Sequence, residues 1–401
     1  MGAGTYAERT DERARVPGAA AGAPRVCYLV NVDWFFLSHR LPLARAARDA
    51  GARVTVAAAD TGCGALVRAE GFDFHPIPFS RKGTNPAGEA AAIWKVAALY
   101  RRLRPALVHQ VTIKPVLYGS LAARALRVPA VVNAISGLGY LFTGEDRGRA
   151  LGRVVHGVYA TALRNPRSRT IFQNPDDRAL FVGRKLVRPE QTVLIRGSGV
   201  DCALFQPVPE PPGDPVVMLP ARMLWDKGVG AFVDAARILR GRGARARFVL
   251  VGALDPGNPT AVPEAELRAW VAEGVVEWWG ARTAMHHTLG EAAVVVLPSR
   301  REGLPKVLLE AAACGRPLVA ADVPGCREVV RPGENGLLAP ADDAPALARA
   351  IETLLASPEL RARYGAAARA MAATEFAEQV VVARTMELYA EMLGSRWPGG
   401  R

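Results

Sequence analysis

Two doubly wound α/β domains are what this sequence predicts, and three observations predict them. From residue 25 onward, short β-branched runs alternate with Ala-, Leu- and Arg-rich stretches of helical period, the pattern of βαβ units feeding a parallel sheet. The alternation comes in two series, with a proline-rich break between them. At 401 residues the chain is long enough for two domains of about 150–200 residues, each able to bury its own core.

In the first series the predicted strands are RVCYLVN (25–31), RVTVAAA (53–59), ALVHQV (106–111), AVVNAI (130–135), RTIFQN (169–174) and TVLIRG (192–197). Their nearly continuous apolar character predicts burial on both faces. Between them LPLARAARDAG reads as a helix ending at Gly51, and NPAGEAAAIWKVAALYRRLRP as a helix stopped by Pro105. The second series starts at VVMLPA before Arg222 and continues through RFVLVG (247–252), VVEWWG (275–280), VVVLPS (294–299) and PLVAAD (317–322). The densest Pro cluster, between Phe205 and Asp214, predicts the interdomain linker. The domains are therefore expected at 25–205 and 206–374. After Asn335 the pattern is helical, and residues 375–401 are expected to carry one amphipathic helix crossing back to the first domain. Residues 1–24, small, polar and Gly/Pro-rich with no apolar centre, are expected to be a disordered tail rather than a signal peptide.

Five cysteines without a C-x-x-C pair argue against a disulfide framework and a zinc site, and point to a reducing compartment. No apolar run reaches the roughly 18 residues needed to cross a bilayer. The net charge of +13 is one-sided: zero for 1–24, +14 for 25–205 and −1 for 206–401. Such a field attracts an anionic surface. Only six of the 51 basic residues are Lys, so a coding bias toward Arg accounts for the same excess.

In doubly wound sheets ligands bind beyond the C-terminal ends of the strands. Four strand-end turns stand out on that criterion. After VVMLPA come Arg222 and, five positions on, Lys227 and Gly228, a spacing that sets two cations and free backbone N–H groups on one turn where a diphosphate can bind. After VVVLPS comes EGLPKVLLE, with Glu302 in the loop, Gly303 allowing close approach, and Glu310 inside a helix that Pro305 helps to start. A loop carboxylate suits sugar hydroxyls, and one within the helix suits the two hydroxyls of a ribose. GSGVD (197–201) and ISGLGY (135–140) are glycine turns that can face a cleft or serve only as tight turns. In NVDWFFLSHR, Trp34, Phe35 and Phe36 with Ser38 and His39 fit an acceptor site or a packing contact with the next helix. His109 has base chemistry, but its setting favours a hydrogen-bonded core histidine. His286 and His287 are adjacent rather than at metal-ligand spacing, and no metal is expected.

With these residues in view, the chain resembles glycosyltransferase family 4, and within it bacterial enzymes that extend polyprenyl-diphosphate-linked sugars for surface polysaccharide or glycan assembly. The likeness covers most of residues 25–395. It is carried by HQVTIKPVLYGSLAA (109–123), SGLGYLF (136–142), FQNPDDRALF (172–181), GSGVDCALFQP (197–207), ARMLWDKG (221–228), REGLPKVLLEAAACGRPLVAADVPGCREVV (301–330) and ENGLL (334–338). The resemblance implies a GT-B fold: two Rossmann-like domains facing an interdomain cleft, the first receiving the acceptor and the second a nucleotide sugar, UDP-linked. It implies retention of configuration, no metal and no other cofactor. By its motifs Arg222 and Lys227 bind the donor diphosphate and act in catalysis with Glu302. Gly303 and Leu304 offer amides to the sugar or phosphate, Glu310 holds the ribose, and the base lies near Arg282. Ser38, His39, His109, Lys114, Ser136 and Gly137 are the acceptor-side candidates. Many relatives have a His where this chain has Ser136, so a His contact to the donor sugar does not carry over, and a serine hydroxyl is no base at neutral pH. A lipid-diphosphate-linked saccharide is the implied acceptor and the cytoplasmic face of the membrane the implied location, with no nucleic acid partner. The rival readings are a nucleotide-sugar epimerase of the same fold and a non-catalytic scaffold subunit; a dehydrogenase is disfavoured because no G-x-G-x-x-G follows the first strand.

Overall fold

The structure is a computed structural model that describes residues 22–79, 86–136 and 149–398. The chain divides into two units, one formed by Gly197–Val380 and the other by the chain up to Arg196 together with Val381–Arg401.

In the N-terminal unit the apolar runs pair as seven parallel strands. The elements in order are β1 (Arg25–Val32), α1 (Asp33–His39), α2 (Leu41–Asp49), β2 (Arg53–Ala59), α3 (Gly64–Ala69), β3 (Asp73–Pro76), α4 (Pro86–Leu103), β4 (Leu107–Val111), α5 (Ile113–Ala125), β5 (Ala130–Ile135), α6 (Arg149–Leu163), β6 (Ser168–Phe172), α7 (Pro175–Gly183) and β7 (Thr192–Leu194). The sheet order is β3-β2-β1-β4-β5-β6-β7, so the winding reverses between β1 and β4. Right-handed crossovers then place α1–α3 on one face and α4–α7 on the other. The alternation along β1 shows it. Val26, Tyr28 and Val30 join the core under α1 and α2, whereas Cys27 and Leu29 join the core under α4 and α5.

The C-terminal unit repeats the plan: β8 (Val216–Pro220), α8 (Val229–Gly241), β9 (Arg247–Val251), α9 (Glu264–Ala272), β10 (Glu277–Trp278), α10 (Met285–Gly290), β11 (Val294–Leu297), α11 (Lys306–Ala313), β12 (Leu318–Ala321), α12 (Pro324–Arg327), β13 (Gly336–Ala339), α13 (Ala344–Leu355) and α14 (Pro358–Glu375). The order β10-β9-β8-β11-β12-β13 reverses between β8 and β11. The last helix, α15 (Glu378–Leu393), follows a break at Phe376–Ala377.

Several expectations need correction. The Pro-rich segment is no free linker. Phe205 lies in the C-terminal core, Arg369 donates to the Phe205 and Cys202 carbonyls, Arg316 to that of Val208, and Arg361 pairs with Glu210. These ties move the division from 205/206 to 196/197. The segment after Asn335 is not wholly helical, because Gly336–Ala339 adds a strand beside β12. The helix expected within 375–401 is present as Glu378–Leu393, and its start is set by a break at Phe376–Ala377: Val200 donates to the Phe376 carbonyl, Glu378 donates back to Val200, and a Cβ on Gly199 would lie 2.6 Å from Glu378 Cα. Residues from Val381 on pack in the N-terminal core, through Val381, Leu388, Tyr389, Leu393 and Trp397. Within NVDWFFLSHR, Asp33–His39 forms helix α1, with Phe36 buried and Trp34 and Phe35 partly so, which realises the packing contact. Among the described residues no helix is long and apolar enough to cross a membrane.

Tyr389 anchors α15 through a buried polar chain. Its hydroxyl meets His109 Nδ1 at 2.5 Å and donates to Tyr28 Oη at 3.1 Å, and the Tyr28 ring stacks on the imidazole with centroids 5.4 Å apart. Burial, helped by the nearby Arg40 charge, pushes the His109 pKa well below its ordinary value. The folded imidazole is therefore neutral, while in the unfolded chain it takes a proton near pH ~6.5. Acidification below about 6.5 favours the unfolded state, which binds the extra proton. Urea midpoints are expected to fall between about pH 8 and about pH 5.5, with a shallower fall in His109→Gln.

Candidate active site

The reversal of strand order beside β8 opens a crevice at the C-terminal edge of its sheet, and the turns after β8 and β11 border it. After β8, Trp225–Lys227 forms a single 3-10 turn and α8 begins only at Val229. Gly228 between them has φ +73, and a Cβ there would lie 2.1 Å from the Pro298 carbonyl oxygen. On the other side of β8, Gly252 brings β9 close, since its Cβ would stand 1.8 Å from the Ala221 oxygen. Only glycine lets three strand ends converge so closely. Arg300 N donates to the Asp226 carbonyl across the crevice, at 3.0 Å.

Convergence brings the expected side chains together. Lys227 Nζ lies 2.5 Å from Glu302 Oε1, with both partly shielded from solvent. Gly303 and Leu304 continue that loop, and Leu304 is buried beneath the GSGVD turn, where a Cβ on Gly197 would come within 2.7 Å of it. The turn therefore packs on the donor-side loop within the C-terminal unit. A Cβ on Gly325, in α12, would lie 2.6 Å from both the Glu302 and the Gly303 carbonyl oxygens. Glu310 sits in α11, 3.8 Å from Lys306. Pro305 is the N-cap of that helix, with no side-chain cap on its first turn.

Arg222 has a partner that sequence reading missed. Its Nη1 donates to Asp255 Oδ2 at 2.7 Å. Asp255 belongs to the loop after β9, where Met223 N donates to the Ala253 carbonyl, Trp225 N to that of Thr260, and Val262 N back to that of Met223. The signal was present, for LDPGNP is a turn cluster directly after a predicted strand. Arg282 stands apart, exposed beyond β10, two strands from β8. Its guanidinium lies over one Trp279 contact at 5.5 Å, with Arg247 at 5.6 Å from the same ring.

The two segments are matched by two family models, one described as Glycosyl transferase 4-like over residues 25–174 and one as Glycosyl transferases group 1 over residues 214–357. The chain belongs to the group 1, family 4-like glycosyltransferases. It is 27% identical over 379 residues to the N,N'-diacetylbacillosaminyl-diphospho-undecaprenol alpha-1,3-N-acetylgalactosaminyltransferase of Campylobacter jejuni, covering 91% of this chain and 98% of that one. It is 29% identical to the alpha-maltose-1-phosphate synthase of Mycobacterium tuberculosis, over 83% and 90% of the two chains. Among solved structures, Anabaena HepE in complex with UDP and glucose superposes with a TM-score of 0.75 at 22% identity, covering 92% of this glycosyltransferase and 100% of HepE. Sucrose-phosphate synthase from Thermosynechococcus elongatus gives 0.74 at 22% identity, over 92% and 99%. The fold is GT-B.

On the N-terminal side the candidates scatter. His109 is a correction: at 1% exposure it is enclosed in the core and holds α15, out of reach of an acceptor. Ser38 Oγ meets His39 Nδ1 at 2.5 Å, and His39 stacks on Phe35 with centroids 4.0 Å apart, so both belong to the α1 surface. Lys114, just after β4, is ion-paired with Glu89, which also accepts from the Tyr118 hydroxyl at 2.5 Å. Ser136 follows β5; Gly137 lies outside the described residues. Sequence reading also passed over Asp33, buried at the start of α1 beside the winding reversal. Burial opposes its charge, but hydrogen bonds from Thr61, Cys63 and Trp34 outweigh burial and hold its carboxyl below the ordinary value.

Gly228→Ala is expected to cost about 2–4 kcal/mol in urea denaturation, from the clash with the Pro298 carbonyl added to a left-handed backbone. Gly274→Ala, at φ +74 with nothing within 4 Å of its Cβ, is expected to cost only the backbone term of about 1 kcal/mol.

Proposed function

We propose that this glycosyltransferase moves a sugar from a UDP-linked donor, with retention and without a metal, to a lipid-diphosphate-linked saccharide at the cytoplasmic face of the membrane, with no nucleic acid partner. The observation that carries the donor half is the cation pair Arg222 and Lys227, each against a carboxylate, Asp255 and Glu302, at one strand-order reversal. The acceptor half draws on the Campylobacter relative, whose name specifies a diphospho-undecaprenol acceptor, and the choice of UDP on HepE.

In this reading the donor diphosphate replaces carboxylates as the anion facing Arg222 and Lys227. As the sugar–phosphate bond breaks, the two cations and the first-turn amides of α11 stabilise charge accumulating on the leaving diphosphate. Arg222, held by Asp255, has its guanidinium set in place before the donor arrives, which lowers the reorganisation needed during reaction. Glu302, released from Lys227, orients the transferred sugar through its hydroxyls, and the Gly303 and Leu304 amides contact sugar or phosphate. Glu310 accepts from the ribose, and Arg282 lies beside the base. The acceptor hydroxyl attacks on the face the diphosphate leaves, and a departing phosphate oxygen takes its proton. Lys114, Ser136 and Gly137 are assigned to the acceptor side with Ser38 and His39.

The test is transfer from a panel of UDP-, GDP- and ADP-sugars to a short polyprenyl-diphosphate sugar with EDTA present throughout. Turnover with a UDP-sugar is expected, and Arg222→Ala or Lys227→Ala should lower kcat about 10²–10³-fold. Absence of turnover with every donor would overturn the reading in favour of a scaffold role; interconversion of a UDP-sugar without acceptor would favour an epimerase.

Glu302→Gln separates binding from chemistry. It removes the carboxylate that competes for Lys227, so calorimetry should find UDP affinity kept or tightened by up to about 1 kcal/mol, while sugar transfer is lost.

A further inference from the structure

The helices α4–α7 cover one face of the N-terminal sheet, and their C-terminal ends form a rim at the edge opposite to the ligand-binding strand ends. Segments 95–104, 124–127, 164–169 and 184–190, which make up that rim, hold twelve Lys and Arg against one carboxylate, Glu190. Neighbouring ends are joined by hydrogen bonds, Arg124 to the Thr161 carbonyl and Arg164 to that of Lys185. No described carboxylate pairs with Arg104, Arg127, Lys185 or Arg188. On the other face two cations of α2 meet carboxylates, Arg45 with Glu70 at 2.7 Å and Arg48 with Asp49 at 3.0 Å.

Backbone conformation makes the excess harder to ascribe to an Arg-rich coding bias. The residue closing a helix in the left-handed region is ordinarily glycine. It is glycine after α2, α3, α8, α9 and α11, at Gly51, Gly71, Gly243, Gly274 and Gly315. After α4, α5 and α7 it is Arg104 at φ 46, Arg127 at φ 54 and Lys185 at φ 54. A side chain is strained there, and at all three rim turns the strained side chain is a cation.

Apolar exposure falls on the same face. Trp94 on α4 is 68% exposed, Leu126 at the end of α5 37% and Val158 on α6 39%. An aromatic and two aliphatic side chains beside an excess of cations, one of which, Arg169, pairs with Glu391, match a bilayer interface, where apolar groups enter the headgroup region and cations meet anionic lipid. A polyanion dissolved in water gives the aliphatic pair no role.

We propose that the outer α4–α6 face and its cationic rim form the docking surface of this protein for an anionic phospholipid leaflet. The proposal locates the membrane contact, and rests for its purpose on the lipid-linked acceptor proposed above.

The experiment is co-flotation of the full chain with vesicles of phosphatidylcholine alone or mixed equally with phosphatidylglycerol, at low salt. Binding is expected only to the mixed vesicles, weakened about fivefold for each cation removed, hence about 25-fold in Arg104→Gly/Arg127→Gly. Glycine suits both backbones, so the melting temperature of that variant should not fall, which separates lost docking from lost folding. Trp94→Ala should weaken binding also. Transfer to a water-soluble acceptor should be the same in wild type and variants. Flotation that depends on the rim supports the surface even if no donor is turned over, in which case the transferase reading alone fails. Equal flotation of wild type and the double variant, or binding of single-stranded RNA in place of vesicles, would overturn the proposal.

Discussion

The convergence of three strand ends beside β8 is the constraint on which the site depends. A doubly wound sheet leaves a gap where its winding reverses, because the connections on either side depart in opposite directions. Here that gap is narrowed by Gly228 against Pro298, and on the other side of β8 Gly252 closes on Ala221, until no side chain fits between the backbones at either place. The narrowing brings Lys227, from one side of the reversal, into contact with Glu302 from the other, and Arg222 into contact with Asp255 from the β9 loop. The chemistry of the site is thus a consequence of backbone packing several residues away from the groups that react.

Both diphosphate-binding candidates meet carboxylates in this structure. Partly exposed pairs of this kind contribute little net stability, so their main effect is on geometry and on exchange. Each carboxylate holds its cation in place, and each pair is weak enough to yield to a ligand carrying two phosphates. The arrangement also discriminates by charge. A neutral ligand would have to break the same pairs without supplying an anion in their place, and so would lose even their small contribution. A dianionic diphosphate does not face that cost.

Much of this was legible in sequence, for reasons that particular residues make plain. Strands such as RVCYLVN and RFVLVG are buried on both faces, so their continuous apolar runs gave their places directly. Arg222, Lys227 and Glu302 were legible because strand-end turns are where this architecture puts ligands. The misses share a cause. The four-residue strands at 73–76 and 336–339 are too short for periodicity to mark, and owe their conformation to the strand beside them. The Pro-rich stretch looked like a linker because composition records chain stiffness and not the distant arginines, Arg316, Arg361 and Arg369, that bind it down. His109 carries base chemistry, yet its strand setting already favoured a core histidine; what sequence did not offer was its partner, Tyr389, which arrives from 280 residues away.

The two units share a strand order over six strands but differ in electrostatics, and one pair of equivalent helices shows it: α5 closes on Arg127 at φ 54, α11 on Gly315 at φ 69. In the C-terminal unit the helix-closing turns after α8, α9 and α11 use glycine, neighbouring cations such as Arg242 and Arg247 are paired with Glu352 and Glu277, and the candidate diphosphate-binding cations lie at the other edge, in the crevice. In the N-terminal unit three such turns carry Arg104, Arg127 and Lys185 in a conformation glycine would occupy without strain. Strain of this kind persists where something outside the local fold opposes its loss, and nothing inside the unit does so, since these three side chains make no ion pair with a described carboxylate. A requirement imposed from outside the chain, by a negatively charged surface, accounts for both the strain and the absence of partners. A requirement imposed by folding accounts for neither.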